Sequence, residues 1–442
     1  MSSLKYFFFA LVAPSVAHAA AGSAFAETSQ SAAMADAVTA RPGNAGTLVT
    51  NPAGLGDLKE AQIVAAAHGD FVSQWIQRTG DPASVDRSRG FGGGSFAAAT
   101  PLPGPAFLRH FGFGVALDVP AQYLLHIHVP TRSDEPTSPI YDGRPDKISA
   151  AFALGYKIIP RLELGVGFAI SPTLTLPTLV QYQAGRSPNV NDNVEVRIDS
   201  SLDLAVVPFL GLRAQPTDWL GLAFVFRDAQ ISRAGGTQTT AAGGILAPDK
   251  IDFFQMWEPS TVVVGAAFTP IKRLTLTLDV TWRNWSAFRT GFDQGSDPNN
   301  PLDVGSPILP PYRFNDTLSI ASGVEAKIAK GVFLRGGVGF EPTPIPTQTG
   351  PTNYLGANAI IGALGAGFDF RELHGLPFMV DAHVRMRADA TQSATKNVAA
   401  MPDADATTPG TQIDNMGFPG FRSQAFMFQG GVTATFFLRG VK

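Results

Sequence analysis

The 442-residue chain contains no cysteine. Disulfides, thiolate metal sites and cysteine nucleophiles are excluded, and a chain without thiols suits passage through an oxidising compartment. Charge is scarce as well: Asp, Glu, Lys and Arg make up 16% of the residues, against about 25% in ordinary soluble domains. The formal net charge of −3 offers no basic field for a nucleic acid. Nor does any apolar run reach the ~20 residues that a spanning helix needs. Catalytic signatures are missing too: there is no Gly-x-Ser-x-Gly, no His-Glu-x-x-His and no Gly-Lys-Ser/Thr loop. "GFGGGSF" (Gly90–Phe96) has the glycines of a phosphate loop without its lysine, and reads as small residues in a strand. No enzyme activity, cofactor or metal is expected. His126 and His128 share a strand face, which suits two histidines near a membrane interface better than a metal pair. "SDPNNPLD" and "PDADATTPG" read as polar loops before they read as calcium sites.

What the chain does have begins at its amino terminus. Lys5, the apolar run "YFFFALVAPSVA" and the small residues of "AHAAAGSAFAE" make a secretory signal peptide. Residues 1–19 form it if cleavage follows Ala19; cleavage after Ala26 is the alternative. Past Leu58 the sequence alternates with period two. In "RLTLTLDVTWRNWSAF", Leu274, Leu276, Leu278, Val280 and Trp282 fall on one face, with Thr275, Thr277, Asp279, Thr281 and Arg283 on the other. That is the pattern of a half-buried strand. "KGVFLRGGVGFE" and "PFMVDAHVRMRAD" repeat it.

Fourteen such segments can be counted, near 61–73, 91–102, 111–128, 146–159, 161–182, 194–214, 218–232, 251–269, 273–288, 314–328, 332–341, 356–370, 376–390 and 421–439. Their connections alternate between a few residues ("IIPR", "AQPTD", "TPIKR", "AKG") and long polar stretches such as "TRSDEPTSPIYDGRP". Tight periplasmic turns and long outside loops are the mark of a transmembrane antiparallel β-barrel. Physics favours the same answer, because a closed barrel leaves no backbone group unpaired in lipid. Trp219, Trp257, Trp282, Trp285, Phe288 and Phe340 fall near segment ends, where aromatic girdles are expected. The fold class is therefore all-β: a barrel of about 14 strands over residues 59–442 in a Gram-negative outer membrane. Wall closure within one chain makes a monomer the default, with outer-membrane lipid and the barrel assembly machinery as partners.

A barrel of this width is water-filled or plugged. Residues 20–58 lack strand alternation, are rich in Ala, Gly and Ser, and precede the first strand. They are expected to form a hatch in the lumen. Asn51, Pro52, Ala53 and Gly54 would fix its last piece, either as a turn or as a short helix capped by Asn51 with Pro52 at its first position.

"SAAMADAVTA" (Ser31–Ala40), "NPAGL" (Asn51–Leu55), "LTLTLDVTWRNWSAF" and "GVFLRGGVGFEPTPIP" together resemble the outer-membrane long-chain fatty acid and hydrocarbon transporters, the FadL-like proteins. The resemblance implies a fourteen-strand barrel, an amino-terminal hatch, and passive uptake of hydrophobic small molecules. In that family a kinked third strand opens the wall sideways. Pro120, which cannot donate to a ladder, is the corresponding lateral-gate candidate here. Family members tend to end on an aromatic residue, whereas this sequence reads "FFLRGVK" at its end.

Asp279, Arg283, Glu325, Lys327, Arg335, Asp381, Arg385 and Arg387 lie on polar strand faces. A structural ion-pair network accounts for them. The sharper expectation is that Arg283, Arg335 or Arg385 fixes a substrate carboxylate by a bidentate bond. The expected function is hatch-gated uptake of long-chain fatty acids or aromatic hydrocarbons with lateral release. A general diffusion porin and a non-transporting adhesin or receptor barrel are the alternatives.

Overall fold

The computed structural model describes residues 28–41, 43–105, 107–121, 136–138, 148–175, 178–181, 195–198, 201–242, 245–288, 313–400 and 415–438. The signal-peptide reading, His126 and His128, and both acidic loop stretches lie outside these residues. Fourteen strands make the wall: β1 (Ala61–Arg78), β2 (Arg89–Pro101), β3 (Phe111–Pro120), β4 (Ser149–Ile159), β5 (Leu162–Thr175), β6 (Ser201–Thr217), β7 (Leu220–Arg227), β8 (Thr261–Ile271), β9 (Leu274–Arg283), β10 (Thr317–Ala329), β11 (Val332–Glu341), β12 (Ala359–Asp369), β13 (Phe378–Asp389) and β14 (Gly420–Leu438). Each pairs antiparallel with its neighbour in chain order. β14 then returns to β1 in continuous register from Ala61↔Leu438 to Arg78↔Phe421, which closes the barrel.

Alternation sets the two faces. On β9, Thr275, Thr277 and Asp279 are buried inside while Leu276, Leu278 and Trp282 are exposed outside. The outer face continues as Leu334, Val338, Phe340, Leu364, Phe428 and Phe436 on the following strands, an apolar belt of the kind a bilayer requires. One rim carries the tight turns at 160–161, 218–219, 272–273 and 330–331, so it is the periplasmic rim.

The strand count agrees with the sequence, but several boundaries do not, and two of the differences separate the wall from another sheet. The segment at 251–269 is two elements broken at Pro259–Ser260. Ile245–Glu258 pairs with Gln230–Ala242 in a separate hairpin, and only Thr261–Ile271 belongs to the wall. The segment at 218–232 likewise ends its wall portion at Arg227. Pro259, which cannot donate to a ladder, marks the first break, whereas Asp228 and Ala229 carry only a weak turn signal at the second.

The aromatic girdle needs correcting as well. Trp219, Trp282 and Phe340 face outward, whereas Trp257 and Trp285 are 7% and 4% exposed and join Phe288 in an internal cluster. Trp285 lies in a 3-10 turn (Trp285–Ala287) just beyond β9, where strand alternation no longer decides the face.

Residues 28–58 run inside the ring, in contact with inward-facing side chains. A short helix α1 (Ser29–Ala33) is closed by a capping box of Thr28 and Ser31. Its Ser29 N–H donates to Thr433 Oγ1 at 2.8 Å. Further on, Asn51 caps a 3-10 helix (Pro52–Asp57) with Pro52 at its first position. Of the two local readings of Asn-Pro-Ala-Gly, the capped helical turn is the one adopted.

Candidate functional site

The inward face of the wall is shaped to receive the 3-10 helix. Gly112, Gly155, Gly165 and Gly211 are paired directly with one another across β3, β4, β5 and β6. None needs a positive φ; what each provides is room. A Cβ at Gly155 would stand 2.6 Å from Gly56 N, and one at Gly165 would stand 2.6 Å from Pro52 O, both inside van der Waals contact. Positions 112 and 211 would meet Leu55 O and Asn51 Oδ1 in the same way. Leu48 and Leu55 then fill an apolar cluster with Val64, Ala97, Ala116, Ala153 and Phe209. Asn51 staples the segment to itself, since Oδ1 accepts from Ala53 N at 3.0 Å while Nδ2 donates to Thr39 O at 2.9 Å.

The opposite arc holds residues 29–41 mainly by charge. Thr39 N–H donates to Asp279 Oδ2 at 3.0 Å, and Arg385 Nη1 donates to Asp36 Oδ2 at 2.7 Å. Arg41 bonds Thr275 and Glu325. Ala35 and Asp36 both take positive φ, 51° and 63°, a conformation that costs a non-glycine residue about 1–2 kcal/mol. The Met34–Ala35 peptide that leads into this turn is wedged against Gly337 of β11, whose missing side chain leaves the space.

Between this segment and the loop-bearing end of the barrel lies a cavity of about 130 Å³. Asp36, Thr39, Asp279, Arg283, Glu341 and Arg385 are among its lining residues. Arg283 donates to Ser319 Oγ at 2.6 Å and more loosely, at 3.4 Å, to Glu341. Glu341 is also bonded by Arg387, whose Nε holds Asp389 at 2.9 Å. Asp279 Oδ1 is buried against the wall and has no hydrogen-bond partner among the described residues.

Of the three arginines singled out in the sequence, Arg283 and Arg385 reach this cavity. Arg335 does not line it. It lies nearer the periplasmic rim, 1% exposed, with Nε bonded to Glu325 at 2.7 Å and Nη1 bonded to Asp381. A guanidinium held by two carboxylates in this way has the bonding of an internal tie.

Toward the loops stands an aromatic cluster that the sequence reading missed. Trp257, Trp285, Phe288, Phe314 and Tyr354 pack with ring centroids 4.6–6.2 Å apart. Inward residues Val72, Phe91 and Met427 join them. Its local signal is Trp257, Trp285 and Phe288, which the girdle expectation places at the membrane interface and the structure turns inward.

Pro120 is the last described residue of β3. It is opposite Gly93 of β2, and Ala121 N–H donates to Gly92 O at 2.6 Å. On its other side the described part of the β3–β4 ladder runs to Asp118↔Ser149.

At the periplasmic end Asp57 accepts from Lys157 at 2.6 Å and from Lys59 at 2.5 Å. Burial alone would raise its pKa, but these hydrogen bonds and the two lysine charges hold the carboxyl below its ordinary value.

Known proteins share this architecture. Residues 10–382 match the family model described as outer membrane protein transport protein (OMPP1/FadL/TodX). Alkane uptake protein A of Marinobacter nauticus is 30% identical over 155 residues, which are 33% of this chain and 31% of that protein, so the match spans about a third of the relative's length. A FadL homologue of Pseudomonas aeruginosa superposes with a TM-score of 0.61 at 15% identity, covering 92% of this chain and 98% of that one. The toluene transporter TodX of Pseudomonas putida gives 0.52 at 14% identity over 93% and 98%. A closed fourteen-strand wall, an apolar outer belt and a family match over most of the sequence lead to one conclusion: the chain belongs to the OMPP1/FadL/TodX family of outer-membrane transport proteins of Gram-negative bacteria.

Proposed function

We propose that the protein is a passive outer-membrane channel for amphipathic hydrophobic molecules, with long-chain fatty acids as the substrate class its lumen fits best. Residues 28–58 act as the hatch. The observation that carries this reading is the layering of the lumen. The aromatic cluster would take an apolar tail, and the cavity behind it would take a polar head between Arg283 and Arg385. A carboxylate entering that cavity competes with Asp36 for Arg385, exchanging one charge-assisted bond for another. Loss of the Asp36 bond frees the strained turn at Ala35 and Asp36, and the hatch shifts. Exit is sideways beside Pro120, which cannot donate to a ladder, because an apolar ligand gains nothing by entering the aqueous periplasm.

The filled lumen argues against a general diffusion porin. Hydrocarbon uptake is the second reading, favoured by the stretch shared with the alkane uptake protein and by the aromatic cluster. Oleate, hexadecane and toluene binding to the wild type and to Arg283→Ala and Arg385→Ala variants separates the two. The proposal expects oleate affinity to fall about tenfold or more in at least one variant, as for loss of a hydrogen bond to a charged group, with the hydrocarbons unaffected. Unchanged oleate affinity in both variants removes the carboxylate role. Deleting residues 20–50 should raise conductance in planar bilayers, and an unchanged current would remove the hatch.

A further inference from the structure

The outer wall has a furrow. On the lipid-facing side of β10, β11 and β12, Ser322, Gly336 and Gly362 form a low floor. Leu276, Val324, Val338, Leu364, Met386 and Phe428 stand around it, enclosing about 600 Å³. A Cβ at Gly362 would meet nothing within 4 Å, and the nearest atoms to one at Gly336 are 3.6 Å away, so the space is real on both sides of Val338. Ser322 Oγ donates to Thr277 O at 3.0 Å, which leaves the floor without an unsatisfied hydroxyl. The furrow opens into the same apolar belt that meets the bilayer.

A second feature lies at the periplasmic end of the same strands. The β8–β9 turn carries Lys272 and Arg273, and the β10–β11 turn carries Lys330, all exposed. The two turns abut, because Lys327 N–H donates to Arg273 O at 2.8 Å. Lys327 is engaged by Glu372 at 2.6 Å, whereas none of the three exposed cations makes an ion pair among the described residues. Six residues separate Val324 in the furrow from Lys330 at the rim, about 20 Å along the strand and about 15 Å along the membrane normal for a typical tilt. That is about the depth of one leaflet's hydrocarbon.

We propose that this face binds one anionic glycerophospholipid of the periplasmic leaflet. Its phosphate sits among Lys272, Arg273 and Lys330, and one acyl chain lies in the furrow over Gly336 and Gly362. Charge complementarity selects the headgroup, and depth selects the leaflet, since lipopolysaccharide occupies the opposite one. The site is independent of the transport reading.

Native mass spectrometry of the delipidated full-length barrel, titrated with phosphatidylglycerol or phosphatidylethanolamine, tests it. One phosphatidylglycerol should be retained per barrel, more tightly than phosphatidylethanolamine. Lys272→Ala, Arg273→Ala and Lys330→Ala should each weaken the anionic lipid about fivefold and leave the zwitterionic one unchanged. Gly336→Leu with Gly362→Leu should reduce both lipids by filling the furrow, with folding checked by heat-modifiable migration. Ser322→Leu repeats that arm should the double variant fail to fold. Equal retention of the two phospholipids, preferential retention of lipopolysaccharide, or wild-type retention in the filled-furrow variant overturns the proposal.

Discussion

Replacing Gly165 by alanine adds one carbon to the wall and should unseat the amino-terminal segment. The added Cβ would stand 2.6 Å from Pro52 O and closer still to Ala53 N. Both are backbone atoms of a 3-10 helix whose neighbours Gly155 and Gly211 allow no retreat along the wall. Overpacking of this kind costs about 1–3 kcal/mol, which shifts the ratio of seated to unseated segment by about 5- to 150-fold. The barrel itself should survive, because the ladder at Gly165 pairs backbone to backbone and its outer face is untouched. Two assays read the effect: proteolysis of residues 28–58 in the folded barrel, and single-channel conductance. Gly165→Ala should be cleaved faster and conduct more. Gly362→Ala, on the outer face with open space around it, should match the wild type in both. A Gly165→Ala protein as protected and as closed as the wild type would refute the seat.

Two further perturbations separate internal ties from ligand contacts. Arg335→Met leaves Glu325 and Asp381 buried without their shared cation, and should cost about 3–5 kcal/mol; the temperature at which heat-modifiable migration is lost should drop while oleate affinity holds, and an unchanged transition would contradict the tie. Asp57 has a native pKa below its ordinary value, so its stabilising contribution is present above the ordinary carboxylate range and is lost as pH falls from about 4 through the lowered native value. Protease sensitivity of residues 28–58 should therefore rise on acidification, with a flatter profile in Asp57→Asn at its low-pH end; identical profiles would show that the Lys157 and Lys59 bonds do not hold the segment.

The wall was legible because its cause is local. A residue such as Leu278 or Asp279 declares its face through its immediate neighbours, and inward burial of Asp279, Glu325, Arg335, Asp381, Arg385 and Arg387 followed from period two alone. The Asn-Pro-Ala-Gly stretch was legible for the same reason, since Asn51 and Pro52 carry their own helix-start chemistry. Partners were not legible. Arg335 meets Asp381 across 46 positions of sequence, and nothing local chooses Asp381 over another inward carboxylate. The row Gly112, Gly155, Gly165 and Gly211 exists only once three strand registers are fixed, so no one of these glycines signals it alone. Trp257 and Trp285 were misplaced because they sit where strands end and alternation stops governing direction.

The two arcs that grip residues 28–58 obey different physics. On the β3–β6 side the fit is mainly steric, glycine backbone against the backbone of the 3-10 helix, with the Asp57–Lys157 pair added at the periplasmic end. On the β9–β13 side close seats at Gly323, Gly337 and Gly365 are joined by the Asp279, Glu325 and Arg385 bonds, and the strength of those bonds drops as water raises the local dielectric. Wetting the lumen from the mouth is therefore expected to weaken the charged contacts first and to leave the glycine seats in place.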